Sequence, residues 1–142
     1  GFIMDKQYSI REVSAKFNLP ASTLRYYEEV GILTDIPRNS SGKRIYLEKH
    51  INRLKTICCF KNTGMSIAQL QEFFQYEQQE PSHIDDILKL LTNQKNHILA
   101  QLAKMQHDYK HIQKKLAYYQ AMKTAVDNHT ALPDWQDFKC DN

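Results

Sequence analysis

The chain has 142 residues, 42% of them apolar, which is room for about one compact domain. No apolar run approaches the roughly 18 residues a membrane helix needs, and nothing near the N-terminus has the layout of a secretory signal, so a cytoplasmic protein without membrane contact is expected. The net charge of +3 is unevenly placed: residues 1–63 hold eleven Lys/Arg against six Asp/Glu, residues 64–142 eight against ten, as for a polyanion-contacting head on a body with another role.

Gly1, Phe2 and Ile3 precede Met4 and are left out of the fold. Ser9 followed by Glu12 forms a capping box that opens a helix over residues 10–17, with Ile10, Val13 and Phe17 on its buried side. Asn18, Leu19 and Pro20 make the turn to a second helix over 21–29. Leu24 faces inward there, and Gly31 suits the left-handed position beyond its end. Ile32, Leu33 and Ile36 cross back over the core. Asn39-Ser40-Ser41-Gly42 then turns between two short strands, the second over 44–46.

A third helix over 47–62 carries Ile51, Leu54, Ile57 and Cys58 and stops at Thr63-Gly64. Ser66 and Gln69 cap a fourth, which presents Ile67, Leu70, Phe73 and Phe74. Pro81 and Ser82, with Asp85 three residues on, mark the start of the last and longest helix. Along it Ile84, Leu88, Leu91, Lys95, Ile98, Leu102, Met105, Tyr109, Ile112, Leu116 and Tyr119 are spaced alternately four and three apart. That is a coiled-coil repeat. At 1.5 Å per residue the helix is roughly 70 Å long, too long for so small a body to bury, so a second copy is expected to close the seam. Lys95 interrupts the apolar seam and helps fix its register.

The fold class is therefore all-α dominated: a winged helix-turn-helix head over 4–76, a linker over 77–82, a dimerisation coiled coil over 83–128 and a tail over 129–142. The second helix offers Ser22, Thr23, Arg25, Tyr26 and Tyr27. Small hydroxyls near its start approach phosphates or bases, and an arginine there bridges guanine O6 and N7 or clamps a phosphate. Tyr26 and Tyr27 cannot both face one core, so at least one is expected to be partly exposed. Arg38, Lys43 and Arg44 surround the loop tip as a phosphate-gripping wing.

The runs beginning at Ser9 (SIREVS), Thr23 (TLRYYEEVGIL), Arg38 (RNSSGKRIY) and Lys61 (KNTGMSI) resemble the MerR family of bacterial transcription regulators, over residues 8 to about 75. The resemblance implies an antiparallel dimerising coiled coil. It also implies a promoter with an overlong spacer, bent and untwisted so that RNA polymerase engages under an effector's control. On it, Arg25 is the recognition-helix arginine, Tyr26 and Tyr27 its aromatic neighbours, Arg38 and Arg44 wing residues, and Tyr46 the closing aromatic. Many members have a tyrosine after the wing glycine, where this chain has Lys43.

Three cysteines, Cys58, Cys59 and Cys140, form no disulfide framework and fit a reducing compartment. Metal sensors of the family place cysteines where this chain has Ser82 and His83, so no metal site and no cofactor are expected. His107 and His111, four apart, lack a third ligand. Cys59, six residues before Met65, is placed like the single cysteine of members that respond to aldehydes and other thiol-reactive electrophiles, with Lys55 and Lys61 near in sequence to favour a thiolate. In the alternative, Cys59 is simply core. The tail, with Trp135 and Phe138, is expected to fold back near Tyr118, Tyr119 and Met122, leaving room for a small effector or merely sealing the helix end. No nucleophile, base and acid are arranged for catalysis, so an enzyme is not expected. The alternative to a regulator is a coiled-coil adaptor or structural protein that has lost its DNA affinity.

Overall fold

Reciprocal hydrogen bonds between Ser9 and Glu12, each at 3.1 Å, start α1 (Ile10–Phe17). These bonds satisfy two donors that a helix start leaves orphaned. The structure is a computed structural model and describes residues 6–139; Met4 and Cys140 lie outside the described residues. Asn18 ends α1 in the left-handed conformation, and α2 (Ala21–Glu29) follows from Pro20. Gly31, at φ +79°, turns the chain out of α2, a conformation costly for any residue with a Cβ. The remaining helices are α3 (Glu48–Asn62), α4 (Ile67–Gln78), again boxed by Ser66 and Gln69, and α5 (Ile84–Asp127); one turn of 3-10 helix (Trp135–Asp137) lies in the tail.

The chain forms two compact units, one ending at Gln94 and the other beginning at Lys95. In the first, Val13 of α1, Leu24 of α2, Ile51, Leu54 and Ile57 of α3 and Leu70 of α4 are fully buried together with Ile32, Leu33 and Met65. Each such aliphatic side chain contributes about 1.5–3 kcal/mol of burial. Phe73 packs edge-on against Phe60 (ring centres 5.0 Å apart) and Phe74. Arg53 ties the layers, donating from Nε to the Ile32 carbonyl at 2.7 Å and lying 3.8 Å over the Phe74 ring. Ile87 of α5 closes this core, and Gln94 donates to the Thr63 carbonyl and hydroxyl at 2.9 Å.

Two sequence expectations are corrected. The last helix does not use a Ser82–Asp85 cap: the Ser82 hydroxyl donates to the Gln79 carbonyl, and His83 lies between Asp86 and Gln79. The turn through 79–83 thus consumes the serine, and α5 begins at Ile84. The loop after Ile36 contains no extended strand among the described residues. Pairing is limited to isolated antiparallel bridges, Arg38 with Arg44 and Tyr8 with Tyr46. Pro37 has no N–H to donate, and the Asn39–Lys43 turn follows at once, so no ladder grows.

In the second unit, Leu99, Leu102, Met105, Tyr109, Ile112, Leu116 and Tyr119 of α5 are exposed. The tail packs on the adjoining face of the same helix. Trp135 meets Tyr118 edge-on at 5.2 Å, with Lys115 Nζ 3.9 Å over its indole, and Phe138 meets Tyr118 at 5.7 Å. The expected fold-back of the tail is therefore present.

Candidate nucleic-acid interface

Helix α2 has two faces. Leu24 and Tyr27 (6% exposed) turn into the core, whereas Ser22, Arg25 and Tyr26 (45% exposed) turn out, and Thr23 is half-buried. Of the tyrosine pair one is core and one is exposed, as the helical period requires, with ring centres 6.3 Å apart.

The basic loop is held from within. Asn39 Oδ1 accepts the N–H groups of Ser41 (2.9 Å) and Lys43 (3.0 Å), and its backbone pairs with Lys43 and Gly42. Gly42, at φ +77°, supplies the left-handed residue that closes the turn. Arg38 Nη1 donates to the Gly42 carbonyl at 2.8 Å. Arg44 reaches back to α2, where its Nε lies 2.6 Å from Glu28 Oε2. Loop and helix are thereby fixed to one another.

Between them lies an open cleft of about 510 Å³, lined by Ser9, Ile10 and Arg11 from the start of α1, Arg25 from α2, and Arg38, Gly42, Lys43 and Arg44 from the loop. Five cationic side chains with one carboxylate partner among them make a strongly positive concavity suited to phosphate oxygens. Sequence reasoning identified Arg25, Arg38, Lys43 and Arg44 and missed Arg11. A single arginine in a short helix carries no motif, and only its position two residues after the capping serine hints at it.

Tyr46 is 0% exposed and belongs to the core, a correction to its placement as a surface contact. Its backbone pairs with Tyr8 (2.8 Å in both directions), which turns the ring inward against His50. Burial raises the pKa of its phenol, as does Glu28, while Arg44, Arg25 and Arg38 oppose the rise. Tyr27 and Tyr46, expected as DNA contacts, are both core residues.

His50, 2% exposed, locks the base of the loop. Its Nδ1 accepts the Leu47 N–H at 2.9 Å, so Nε2 carries the proton and donates to the Asp35 carbonyl at 3.0 Å. Asp35 sits at φ +61°, uncommon for a residue with a side chain. Burial holds the His50 pKa below its usual value.

Cys59 is exposed on α3, whereas Cys58 is half-buried and its thiol pKa is raised by burial. Among the described residues no three His, Cys, Asp or Glu side chains converge as a metal site. None of the described helices is long and apolar enough to cross a membrane.

A helix pair followed by an arginine-lined cleft and a basic loop defines a helix-turn-helix protein of the DNA-binding kind. Residues 8–77 match the family model described as MerR HTH family regulatory protein. An HTH-type transcriptional regulator of Haemophilus influenzae is 30% identical over 116 residues, covering 82% of this chain and 86% of its own. Among solved structures, HiNmlR, a MerR family regulator lacking the sensor domain and bound to promoter DNA, is 29% identical with a TM-score of 0.78, covering 85% of this chain and 92% of that one. A MerR family regulator from Bacillus thuringiensis is 33% identical with a TM-score of 0.68, over 79% of this chain and 98% of that one. The chain belongs to the MerR family, as a DNA-binding transcription regulator.

Proposed function

We propose that the chain acts in the cytoplasm as a homodimer that grips a near-palindromic promoter site and distorts it for RNA polymerase. In this proposal residues 4–76 form the DNA-binding head, with the basic loop as its wing, 77–82 a linker, 83–128 an antiparallel dimerisation coiled coil and 129–142 a tail. The observation that carries it is the cleft joining Arg25 of α2 to Arg38, Lys43 and Arg44 of the loop. Ser22, Thr23 and Tyr26 extend the contact along α2. The exposed apolar stripe of α5 supports a second copy, because a surface of this kind is rarely left to solvent. Two heads at fixed spacing read a two-fold site. If that spacing matches deformed DNA better than straight DNA, binding free energy goes into deformation. HiNmlR, bound to promoter DNA, supports the promoter contact.

The test is a mobility shift of promoter fragments across a salt series. The wild type binds with strong salt dependence, and Arg25→Ala weakens binding sharply. Absence of binding to any genomic fragment at low salt overturns the proposal.

Exposure of Cys59 beside a half-buried Cys58 supports a thiol-reactive electrophile as the effector. An unchanged transcriptional response to aldehydes in Cys59→Ser rules that effector out at this site.

A further inference from the structure

We infer that Arg53 of α3 is a positioning residue for the exposed face of α2, because its guanidinium supplies from another helix the cation that the end of α2 lacks. This rests on the promoter binding proposed above and adds to it how the reading face is aimed. The last turn of α2 carries Glu28 and Glu29 and no basic residue, the wrong sign for the negative end of a helix. Glu28 is taken by Arg44 of the loop. At Gly31 the chain turns sharply, and the Tyr27 carbonyl accepts the N–H groups of both Ile32 and Leu33 at 3.1 Å. The carbonyls on either side of Gly31 are then taken by side chains of two other helices. That of Val30 accepts from Gln71 Nε2 of α4 at 2.8 Å, and that of Ile32 from Arg53 Nε at 2.7 Å.

Arg53 is half-buried and forms no ion pair with any described residue. Burial lowers its pKa, and the charges of Glu77 and Asp35 oppose the shift. Its Nη2 is buried with no hydrogen-bond partner among the described residues. The cation is therefore held by the Ile32 carbonyl, by the face of Phe74 3.8 Å away and by the negative end of α2. A planar guanidinium stacked on a ring aims its Nε–H in one direction, which the flexible ammonium of a lysine does not. Arg53 thus fixes the point at which α2 ends. At 1.5 Å per residue Ser22 lies about 13 Å from Gly31, so a tilt of roughly 5° there moves Ser22 by about 1 Å. Hydrogen bonds to base edges, confined to about 2.7–3.2 Å, do not survive such a displacement. Attraction to phosphates falls off gradually with distance and does survive it. Loss of Arg53 is therefore read as lost discrimination between sequences, with general affinity for DNA retained.

The experiment measures binding of the full chain to a promoter fragment selected by the wild type and to an unrelated duplex of the same length, across a salt series. Arg53→Met keeps an apolar stem over Phe74 and removes the charge and the donor, whereas Arg53→Lys keeps the charge without the plane. Both are expected to lower the ratio of promoter to unrelated affinity about tenfold, the size of one lost base-pair preference. Affinity for the unrelated duplex and the slope of log K against log salt stay unchanged, since Arg53 does not line the cleft. Gln71→Leu, which removes only the Val30 bond, lowers the ratio by a smaller factor. Equal losses on both duplexes, or an unchanged ratio, in either folded Arg53 variant overturn the positioning role while promoter binding stands. Should Arg53→Met fail to fold by circular dichroism, Arg53→Lys and Gln71→Leu decide, and an unchanged ratio in both overturns it. A wild type that binds the two duplexes alike overturns the promoter reading and the positioning role together.

Discussion

Arg44 of the basic loop and Glu28 of α2 are joined by a 2.6 Å ion pair, with both side chains about four-fifths buried. The contact bridges the two elements that flank the cleft, so it sets their separation. Replacing Glu28 by Gln is expected to cost about 1 kcal/mol, more than most surface pairs because the site is partly shielded from solvent. For a chain of this size that lowers Tm by about 3 °C. A double-mutant cycle with Arg44→Gln, read from thermal melts, should return a coupling of that order that shrinks as salt rises. A coupling of zero means that the loop is positioned by Asn39 and Gly42 alone.

His50 makes the first unit acid-sensitive. Its neutral form is required, since Nδ1 accepts from Leu47 while Nε2–H donates to Asp35. Burial lowers its pKa below 6.5, with the Lys49 charge adding to the effect and the Asp35 and Thr34 backbone contacts opposing it. Between 6.5 and the lowered native value, the unfolded chain holds the proton and the folded chain does not. Stability is therefore full above about pH 6.5 and falls as the pH drops through the native pKa. Urea melts of the wild type should lose stability over this window, and His50→Gln, weaker at neutral pH, should show a flatter profile. Parallel profiles for the two proteins contradict the assignment.

Ile112 tests the dimer. It is 63% exposed on the seam of α5. If a second copy covers it, Ile112→Glu removes apolar burial twice per dimer, about 3 kcal/mol in total, and raises the dissociation constant at least about a hundredfold. Sedimentation velocity should show dimer becoming monomer, while the first unit keeps its melting transition. A wild type that sediments as a monomer at all concentrations leaves the stripe unexplained by self-association.

Trp135 is the chain's one tryptophan, so intrinsic fluorescence reports on the tail alone. Docking against Tyr118 and under Lys115 shields the indole. Tyr118→Ala should shift its emission to the red and increase acrylamide quenching, with helix content unchanged. Such an aromatic pair contributes about 0.5–1.5 kcal/mol, enough to bias a short tail. Emission identical in the two proteins would show that the tail does not dock there.

Much of this was legible in the residues. Two capping boxes and Gly31 announce helix boundaries through local hydrogen bonding and backbone conformation, which depend on a few neighbours. Ser82 and Asp85 marked the start of α5 without capping it, because the Ser82 hydroxyl found a nearer acceptor in Gln79. Tyr46 and Arg11 show the other limit. Whether a side chain faces solvent or core after a loop depends on a distant partner, here Tyr8, and the charge of Arg11 gains meaning only when the loop folds up against α1. No spacing rule encodes contacts made across thirty residues.

The two faces of α2 separate two kinds of evolutionary constraint. Leu24 and Tyr27 are bound by the core, and changes there are felt as folding defects. Ser22, Arg25 and Tyr26 have no such tie, so substitutions at them leave the scaffold intact. On the proposed DNA contact, operator preference is therefore free to change one exposed position at a time while the protein remains folded. On the same proposal, a duplicated copy of the chain needs only a few changes on that face to serve a different promoter.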